Sequence, residues 1–375
     1  MKKISFFSAL PPFRGGISHF SEILCTSLSK KSNISKFTFK KQYPSFLFPG
    51  KTQYIANFNS NNSAKRIVST FNPLSYIKAY REINKSEPEV FICNYWMSFF
   101  APMMGFIARR LSKKTIKIGL VHNLTPHEKR FFDKPFNKYF VNSYDGFIAL
   151  SDFVLEDIKK INPNKPCIVI PHPPYNNFNI KINQIEAQKL LTLSLTKKTI
   201  LFFGIIRDYK GLDLLIEAFN LLDDSYQLVI AGEVYGDDRS YHKMIDENVN
   251  KKRIYFFNQY IPDEEVHIYF SASDCIVLPY KSGTQSGVAA IAEQFDLPVL
   301  TSNVGGISEK INHGVNGLIF KDTSAQNISD QIKECYDLKL PETIINNGDV
   351  SNVEKPNEWD LFAEEALNFA SSLKS

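Results

Sequence analysis

Short apolar runs alternate along the chain with segments in which apolar residues recur every three or four positions. In the first half, strands are predicted at residues 2–9, 90–93, 116–121, 146–150 and 167–170. In the second half, they are predicted at residues 199–203, 227–231, 253–257, 274–278, 298–301 and 318–320. Helical periodicity lies between these runs, for example at residues 19–30, 101–111 and 212–222. This alternation is typical of α/β domains with doubly wound parallel sheets.

The length of 375 residues exceeds the usual size of one hydrophobic core and favours two domains. Residues 175–196 contain no clear strand and join two strand-rich halves, so the linker is placed there. We therefore expect Rossmann-like domains at residues 1–180 and 195–350. An amphipathic helix at 359–373, within the final segment 357–375, is expected to pack back on the first domain.

Charge is distributed unevenly between the two halves. Residues 1–180 carry 26 Lys+Arg and 10 Asp+Glu, a net of +16, whereas the remainder carries 18 and 29, a net of −11. A basic domain is compatible with nucleic acid, with an anionic membrane surface or with a merely solvated Lys-rich face. No zinc finger, RNP-type aromatic motif or helix-turn-helix spacing accompanies the charge, so nucleic acid is not the expected partner.

Compartment and membrane topology are inferred from other features. The five cysteines are widely spaced and mostly lie in apolar runs, which indicates reduced core thiols in a cytosol. The N-terminal apolar stretch is short and runs into Pro11 and Pro12, as in a first strand and its loop rather than a signal peptide. Residues 90–108 are too interrupted by Asn94 and Pro102 to span a bilayer and indicate a strand followed by a helix, or alternatively an interfacial helix.

Residues 280–309 describe a ligand site. A strand ends near Pro279, a small polar loop follows, and an apolar-periodic helix begins near Val288. The backbone N–H groups of Ser286, Gly287 and Val288 at the start of this helix, together with its dipole, favour an anion such as a phosphate. Glu293, further along the helix, is placed to bind two adjacent hydroxyls, such as those of a ribose.

The same segment resembles the donor-binding region of family 4 glycosyltransferases. The family pattern is a Glu, seven residues, a second Glu, then Pro-Val and Gly-Gly-x-x-Glu. Matching positions are Glu293, Pro298, Val299, Gly305, Gly306 and Glu309, the last of which is expected to begin another helix. The first Glu of the pattern is replaced by Gln285, which keeps a hydrogen bond to the transferred sugar but loses a negative charge. The resemblance implies the GT-B fold, with a cleft between two Rossmann-like domains.

A second resemblance lies after the strand at 199–203, where the family has Gly-Arg and then Lys-Gly. Lys210 and Gly211 match, Ile205 stands at the usual Arg position, and Arg207 is displaced by two residues. In the family these cations bind the donor diphosphate. Positive potential at a leaving diphosphate is the main catalytic requirement, so Arg207 and Lys210 are predicted to be catalytic as well as donor-binding. With no Asp-x-Asp motif and no His/Cys cluster, no metal or other cofactor is expected.

In the first domain, His122 follows the strand at 116–121, at the edge of the sheet where open α/β folds bind ligands. The family has a His here beside the transferred sugar, and His122 is counted with Gln285 among the predicted catalytic residues. Gly15 and Gly16 are predicted to approach the diphosphate or the acceptor. His127 and Glu128 are predicted to face the acceptor, and Ile261 the nucleotide base.

The resulting expectation is a glycosyltransferase that moves a sugar from a UDP- or GDP-sugar to a hydroxyl of a glycan or lipid-linked glycan in bacterial polysaccharide synthesis. The family resemblance implies that the transfer retains the anomeric configuration. The expected location of the enzyme is the cytoplasm, peripheral at the inner face of the membrane. Alternatives are a non-catalytic sugar-nucleotide-binding scaffold and a GT-B nucleotide-sugar epimerase. An NAD-dependent oxidoreductase is disfavoured because neither first turn shows G-x-G-x-x-G.

Overall fold

The computed structural model describes residues 2–43, 52–55, 64–125, 130–175, 178–283, 286–348 and 357–374, with only the backbone of 345–348. The chain divides into two compact units. Unit 1 comprises residues 1–173 and 355–375, and unit 2 comprises residues 174–354. Each unit is built on its own parallel sheet, as the sequence predicts.

The sheet of unit 1 has seven parallel strands in the order β3-β2-β1-β4-β5-β6-β7. Its strands are β1 Lys2–Phe7, β2 Ser32–Lys41, β3 Lys65–Ser69, β4 Val90–Tyr95, β5 Ile116–Val121, β6 Gly146–Ala149 and β7 Cys167–Val169. Strand order reverses between β1 and β4, which is the switch point of a doubly wound sheet.

Helices connect these strands and cover the sheet. They are α1 Gly16–Ser29, α2 Pro73–Lys85, α3 Ala101–Arg110, α4 Asp133–Val141 and α5 Asp152–Ile161, joined by α13 Glu358–Ser372 from the end of the chain. The helix α13 packs on α1, where Lys30 pairs with Asp360 at 2.7 Å and Lys31 with Glu364 at 2.7 Å. The indole of Trp359 is buried in this contact.

The sheet of unit 2 has six parallel strands in the order β10-β9-β8-β11-β12-β13. Its strands are β8 Lys198–Phe203, β9 Tyr226–Ala231, β10 Ile254–Phe257, β11 Cys275–Leu278, β12 Val299–Ser302 and β13 Gly317–Phe320. The helices are α6 Gln184–Leu190, α7 Leu212–Phe219, α8 Arg239–Glu247, α9 Asp263–Ser271, α10 Gly287–Gln294, α11 Ala325–Asp337 and α12 Leu340–Gly348. Here the switch point lies between β8 and β11.

Local capping explains where several helices begin. The side chain of Asn72 accepts a hydrogen bond from the Leu74 N–H at 3.1 Å, and Pro73 occupies the first helical position of α2. The Ser286 hydroxyl accepts from the Ala289 N–H at 3.3 Å and starts α10. These side chains satisfy backbone donors that a helix leaves without intrahelical partners.

The expectation of two doubly wound parallel sheets is confirmed, and most predicted strands agree to within two residues. The expected helix at Glu309 is wrong, because residues 305–310 form turns and bends that continue from the left-handed Gly305. The segment assigned to the linker contains α6, and the division between units falls at Pro173 and Pro174. Over the described part of the chain, no helix combines the length and apolarity needed to cross a membrane.

Candidate functional site

The turn from β8 to α7 sits at the switch point of the second sheet. Gly204 follows β8 with φ +100°, residues Asp208–Lys210 make one 3-10 turn, and Gly211 begins α7 with φ +71°. Neither backbone conformation suits a residue with a Cβ. The turn is tied to the end of β9 by a hydrogen bond from the Ile206 N–H to the Glu233 carbonyl oxygen at 2.9 Å. These constraints fix where Lys210 points.

Lys210 is buried, with 9% of its surface exposed. Its ammonium group lies 5.5 Å from the ring centroid of Tyr280. A Cβ placed on Gly204 would be 3.3 Å from that ammonium and 3.2 Å from the Val288 side chain, so the lysine reaches the first turn of α10. None of the carboxylates that the structure describes neutralises it.

Burial lowers the pKa of Lys210 below its ordinary value near 10.5; the Tyr209 hydroxyl opposes the shift, while the nearby charge of Arg207 adds to it. The pKa falls because burial and a neighbouring like charge both disfavour the ammonium form. A bound anion would oppose both effects, because a nearby negative charge favours the ammonium form. The site is therefore prepared for negative charge.

The carboxylates nearest in sequence are bound to a different cation. Lys281 contacts Asp208 at 2.9 Å and Asp213 at 2.8 Å, and its backbone N–H donates to the Tyr209 carbonyl oxygen at 2.7 Å. Lys281 thereby links the loop after β11 to the loop after β8. Lys281 offsets part of the charge of the two aspartates and holds both carboxylates, so that neither of them pairs with Lys210.

Arg207 is half-buried and lies beside Lys210. Its guanidinium is 5.8 Å from the Tyr209 ring centroid, and its carbonyl oxygen accepts a hydrogen bond from the Lys210 N–H at 2.9 Å. The displaced arginine of the sequence pattern is therefore brought to the same turn as Lys210. Ile205, at the usual arginine position, is half-buried.

The start of α10 supplies the second wall of this site. Ser286, Gly287 and Val288 occupy its first positions and are half-buried, and the nearest neighbour of a Cβ on Gly287 would be the Tyr175 hydroxyl at 3.8 Å. The Tyr280 hydroxyl lies 3.4 Å from the Ser286 hydroxyl. The first N–H groups of a helix lack intrahelical partners and favour an anion. Glu293 lies near the other end of α10 and is exposed.

Two further predicted residues lie on neighbouring loops of unit 2. Ile261 is buried in the loop between β10 and α9, two strands away from β8 in the sheet. Gly305 adopts a left-handed conformation, with φ +54°, after β12. All the strands are parallel, so the loops at their carboxyl ends lie along the same edge of the sheet.

In unit 1, His122 follows β5 and is buried, with 4% of its surface exposed. The ring of Phe20 meets the imidazole at a centroid distance of 4.6 Å and an angle of 81°. Phe20 also packs edge-on against His172 at 5.0 Å and Trp359 at 5.1 Å. Burial, followed by the neighbouring His172, lowers the pKa of His122 to about 3. His122 is therefore a neutral imidazole at physiological pH.

The remaining predicted residues of unit 1 lie near the start of α1 or outside the described residues. Gly15 precedes α1 with φ +103°, and Gly16 is its first residue; Cβ atoms on these two glycines would find open space among the described atoms. His127 and Glu128 lie outside the described residues, as does Gln285 in unit 2.

Comparison with known proteins shows what the chain is similar to. Residues 183–351 match the model of the glycosyl transferases group 1 family. An uncharacterized glycosyltransferase of Methanocaldococcus jannaschii is 25% identical over 240 residues, which cover 61% of this chain and 61% of that protein. The chain thus matches less than two thirds of that relative's length.

Two solved structures share the whole fold. Sucrose-phosphate synthase from Thermosynechococcus elongatus has a TM-score of 0.75 at 17% identity, covering 100% of this chain and 98% of that chain. Anabaena HepE in complex with UDP-glucose has a TM-score of 0.72 at 15% identity, with the same coverage. The chain has the GT-B fold, and residues 183–351 match the glycosyl transferases group 1 model.

In the matched segment, the structure brings two further residues to the site that the sequence pattern did not indicate. Tyr280 and Lys281 follow β11, and they hold Lys210 and the two aspartates in place. The sequence pattern that could have identified them is a Tyr-Lys pair at the end of a predicted strand at the switch point of the sheet. In unit 1, Phe20 packs between His122 and Trp359, and no local pattern indicates this packing because Trp359 is far away along the chain. Among the described side chains, no group of three or more His, Cys, Asp or Glu residues could hold a metal ion.

Proposed function

We propose that the protein is a retaining glycosyltransferase of the hexosyltransferase class, which moves a sugar from a UDP- or GDP-sugar to a hydroxyl of a glycan or lipid-linked glycan. The observation that carries the proposal is Lys210, a buried cation beside the start of α10 with no carboxylate partner among the described residues. The matched family and the UDP-glucose complex of a structural neighbour support a nucleotide-sugar donor.

In this proposal, the donor diphosphate binds between Lys210 and the first N–H groups of α10. Negative charge accumulates on the diphosphate as the glycosidic bond breaks. Lys210, with Arg207 nearby, stabilises that charge without needing to reorganise, because the backbone turn already fixes the position of Lys210. Removing one such donor typically lowers the rate on the order of 10²-fold to 10³-fold. No metal ion is required by this arrangement, and metal independence is part of the proposal.

Retention is proposed to follow from front-face attack. The leaving phosphate helps to take up the proton of the acceptor hydroxyl, so no separate general base is needed. His122 is assigned a contact with the transferred sugar. Since the imidazole is neutral, it would contribute a hydrogen bond rather than a charge.

We further propose that the acceptor belongs to a bacterial polysaccharide pathway, such as O-antigen, capsule or exopolysaccharide, and that the enzyme works in the cytoplasm at the inner face of the membrane. The support is the net charge of +16 in residues 1–180. An anionic leaflet attracts each Lys or Arg near its surface by about 1 kcal/mol.

Donor binding is tested first, by saturation-transfer NMR against UDP-, GDP-, dTDP- and ADP-sugars. We expect one sugar nucleotide to bind, and Lys210→Met to abolish its signal. Lys252→Met is the matched control, because Lys252 is an exposed lysine of the same unit. Failure of every sugar nucleotide to bind would overturn the proposal.

Transfer is tested with the donor so identified and a panel of glycosides and prenyl-linked glycans, with and without EDTA. Release of nucleoside diphosphate with acceptor, and an anomeric coupling constant unchanged from the donor, would support retention. Donor binding without turnover on any acceptor would favour the non-catalytic scaffold. Rearrangement or hydrolysis of the donor alone would favour the epimerase. Loss of activity in EDTA would contradict metal independence.

A further inference from the structure

An apolar groove lies on unit 1 between α2, α3 and α4. Its volume is about 560 Å³. It is lined by Leu74, Tyr76 and Ile77 of α2, by Phe106 of α3, and by Phe136 and Tyr139 of α4. A groove of this size with few polar groups can enclose a hydrocarbon chain but offers little to orient a polar ligand.

Large apolar side chains stand at the rim of this groove. Phe131 is 95% exposed and Leu74 is 71% exposed. Phe131 is connected to the groove through two ring contacts. Its ring meets that of Phe132 edge-on at a centroid distance of 5.3 Å, and the Phe132 ring lies tilted against Phe136 at 5.1 Å. Single exposed apolar residues are common, but an exposed group continuous with an apolar groove indicates an interaction surface.

Positive charge surrounds the groove. Arg110 lies over the Phe106 ring at 4.2 Å, and Arg109 lies over the Tyr139 ring at 4.7 Å, so two guanidinium groups cover lining residues. Seven exposed cations lie on these helices or just before α4, and none of the seven pairs with a carboxylate within the described ranges. The carboxylates of the same helices are already engaged, since Glu82 pairs with Lys65 and Lys85, and Asp133 is buried against Ser98. The exposed cations are Lys78, Arg81, Arg109, Arg110, Arg130, Lys134 and Lys138.

We propose that this face inserts into an anionic bilayer, with Phe131 and Leu74 below the headgroups and a lipid hydrocarbon chain in the groove. The cations then lie at the level of the lipid phosphates, and aromatic and basic residues are the side chains that favour this interface. A second copy of the chain would place positive charge against positive charge. This inference deepens the membrane part of the proposed function and does not depend on the transfer reaction.

Vesicle flotation tests the surface. The protein is expected to float with vesicles of phosphatidylcholine containing one third phosphatidylglycerol at low salt, and much less with phosphatidylcholine alone. Leu74→Ser and Phe131→Ser should each lower the partition coefficient about tenfold or more, because each removes a large apolar side chain from the bilayer. Leu361→Ser is the matched control, since Leu361 is 44% exposed on α13 of the same unit and should leave flotation unchanged.

Insertion is tested separately with Phe131→Trp and vesicles that carry brominated acyl chains. We expect the added tryptophan fluorescence to be quenched, whereas Leu361→Trp in the same vesicles should not be quenched. The inference would be overturned if all the serine variants floated equally well. It would also be overturned if the wild type did not float or if the Phe131→Trp fluorescence were not quenched. A dimer in light scattering that Leu74→Ser converts to a monomer would overturn it as well, because the groove would then be an interface between copies. Donor binding is measured by NMR in every variant. If a variant still binds the donor but no longer floats, only membrane binding has been lost and the proposed enzyme activity is not called into question.

Discussion

The backbone of Gly211 lies directly against the carbonyl of Pro279. A Cβ built on Gly211 would be 2.0 Å from the Pro279 oxygen, and the residue has φ +71°. This contact joins the loop after β8 to the loop after β11 at the switch point of the second sheet, next to Lys210. Two independent constraints, one conformational and one steric, therefore require glycine at this position.

Gly211→Ala separates these constraints when it is compared with Gly314→Ala. Gly314 has φ +80°, but a Cβ there meets no described atom within 4 Å. We expect Gly314→Ala to cost about 1 kcal/mol for the backbone conformation alone. Gly211→Ala should cost about 3 kcal/mol, because overpacking adds to that term. Urea unfolding of both variants measures the difference, and equal costs would mean that the Pro279 contact is not rigid.

Lys210→Met should improve stability while removing function. Lys210 has no carboxylate partner among the described residues, so replacing its buried ammonium by an apolar side chain of similar length removes a desolvation cost. The unfolding temperature of the free protein is therefore expected to stay equal or rise. Inorganic pyrophosphate should raise the unfolding temperature of the wild type but not that of the variant.

The exposed Lys252→Met provides the reference for that experiment, since it changes the same charge without changing a buried group. Its response to pyrophosphate should equal that of the wild type. A Lys210→Met protein that is strongly destabilised and still responds to pyrophosphate would show that the ammonium has a structural partner rather than an anion-binding role.

Sequence patterns predict the two sheets well because parallel strands buried on both faces form continuous apolar runs. Strand β2 was not predicted, since Ile34, Phe37 and Phe39 are its apolar residues among lysines and serines. Helix α6 was not predicted because it is short and lies in a segment assigned to the linker.

The candidate site was predictable only in part. Lys210, Arg207 and the start of α10 follow from turns that strand and helix periodicity locates. The lack of a carboxylate beside Lys210 does not follow from these turns. It depends on Lys281, which binds aspartates that are far from it along the chain. In the same way, Phe20 packs on His122, and Trp359 from the last helix packs on Phe20. Such features arise from tertiary packing and leave no local pattern.

The low pKa of His122 predicts a specific acid sensitivity. Burial and His172 lower its pKa from 6.5 to about 3 in the folded protein. Between these values the unfolded chain binds a proton that the folded protein does not, so stability falls as the pH falls through this window. His122 contributes at most about 1.4 kcal/mol per pH unit to the change in the free energy of unfolding. His122→Gln should remove this part of the slope when urea unfolding is measured from pH 6.5 downwards. An unchanged slope would mean that the imidazole is protonated in the folded state.

Cysteine reactivity provides an independent check on the packing of both units. Four of the five thiols are buried, at Cys25, Cys93, Cys275 and Cys335, and Cys167 at the start of β7 is half-buried. Burial raises the pKa of Cys93 to about 12 and raises that of Cys167 as well. Because the thiolate is the reactive form, we expect the native protein to react with a thiol reagent slowly and only at Cys167, faster as the pH rises. Cys167→Ser should then be unreactive until denaturant is added. Rapid reaction of a second thiol in the native protein would show that the packing around that thiol opens locally, and mass spectrometry of the labelled peptides would identify the thiol.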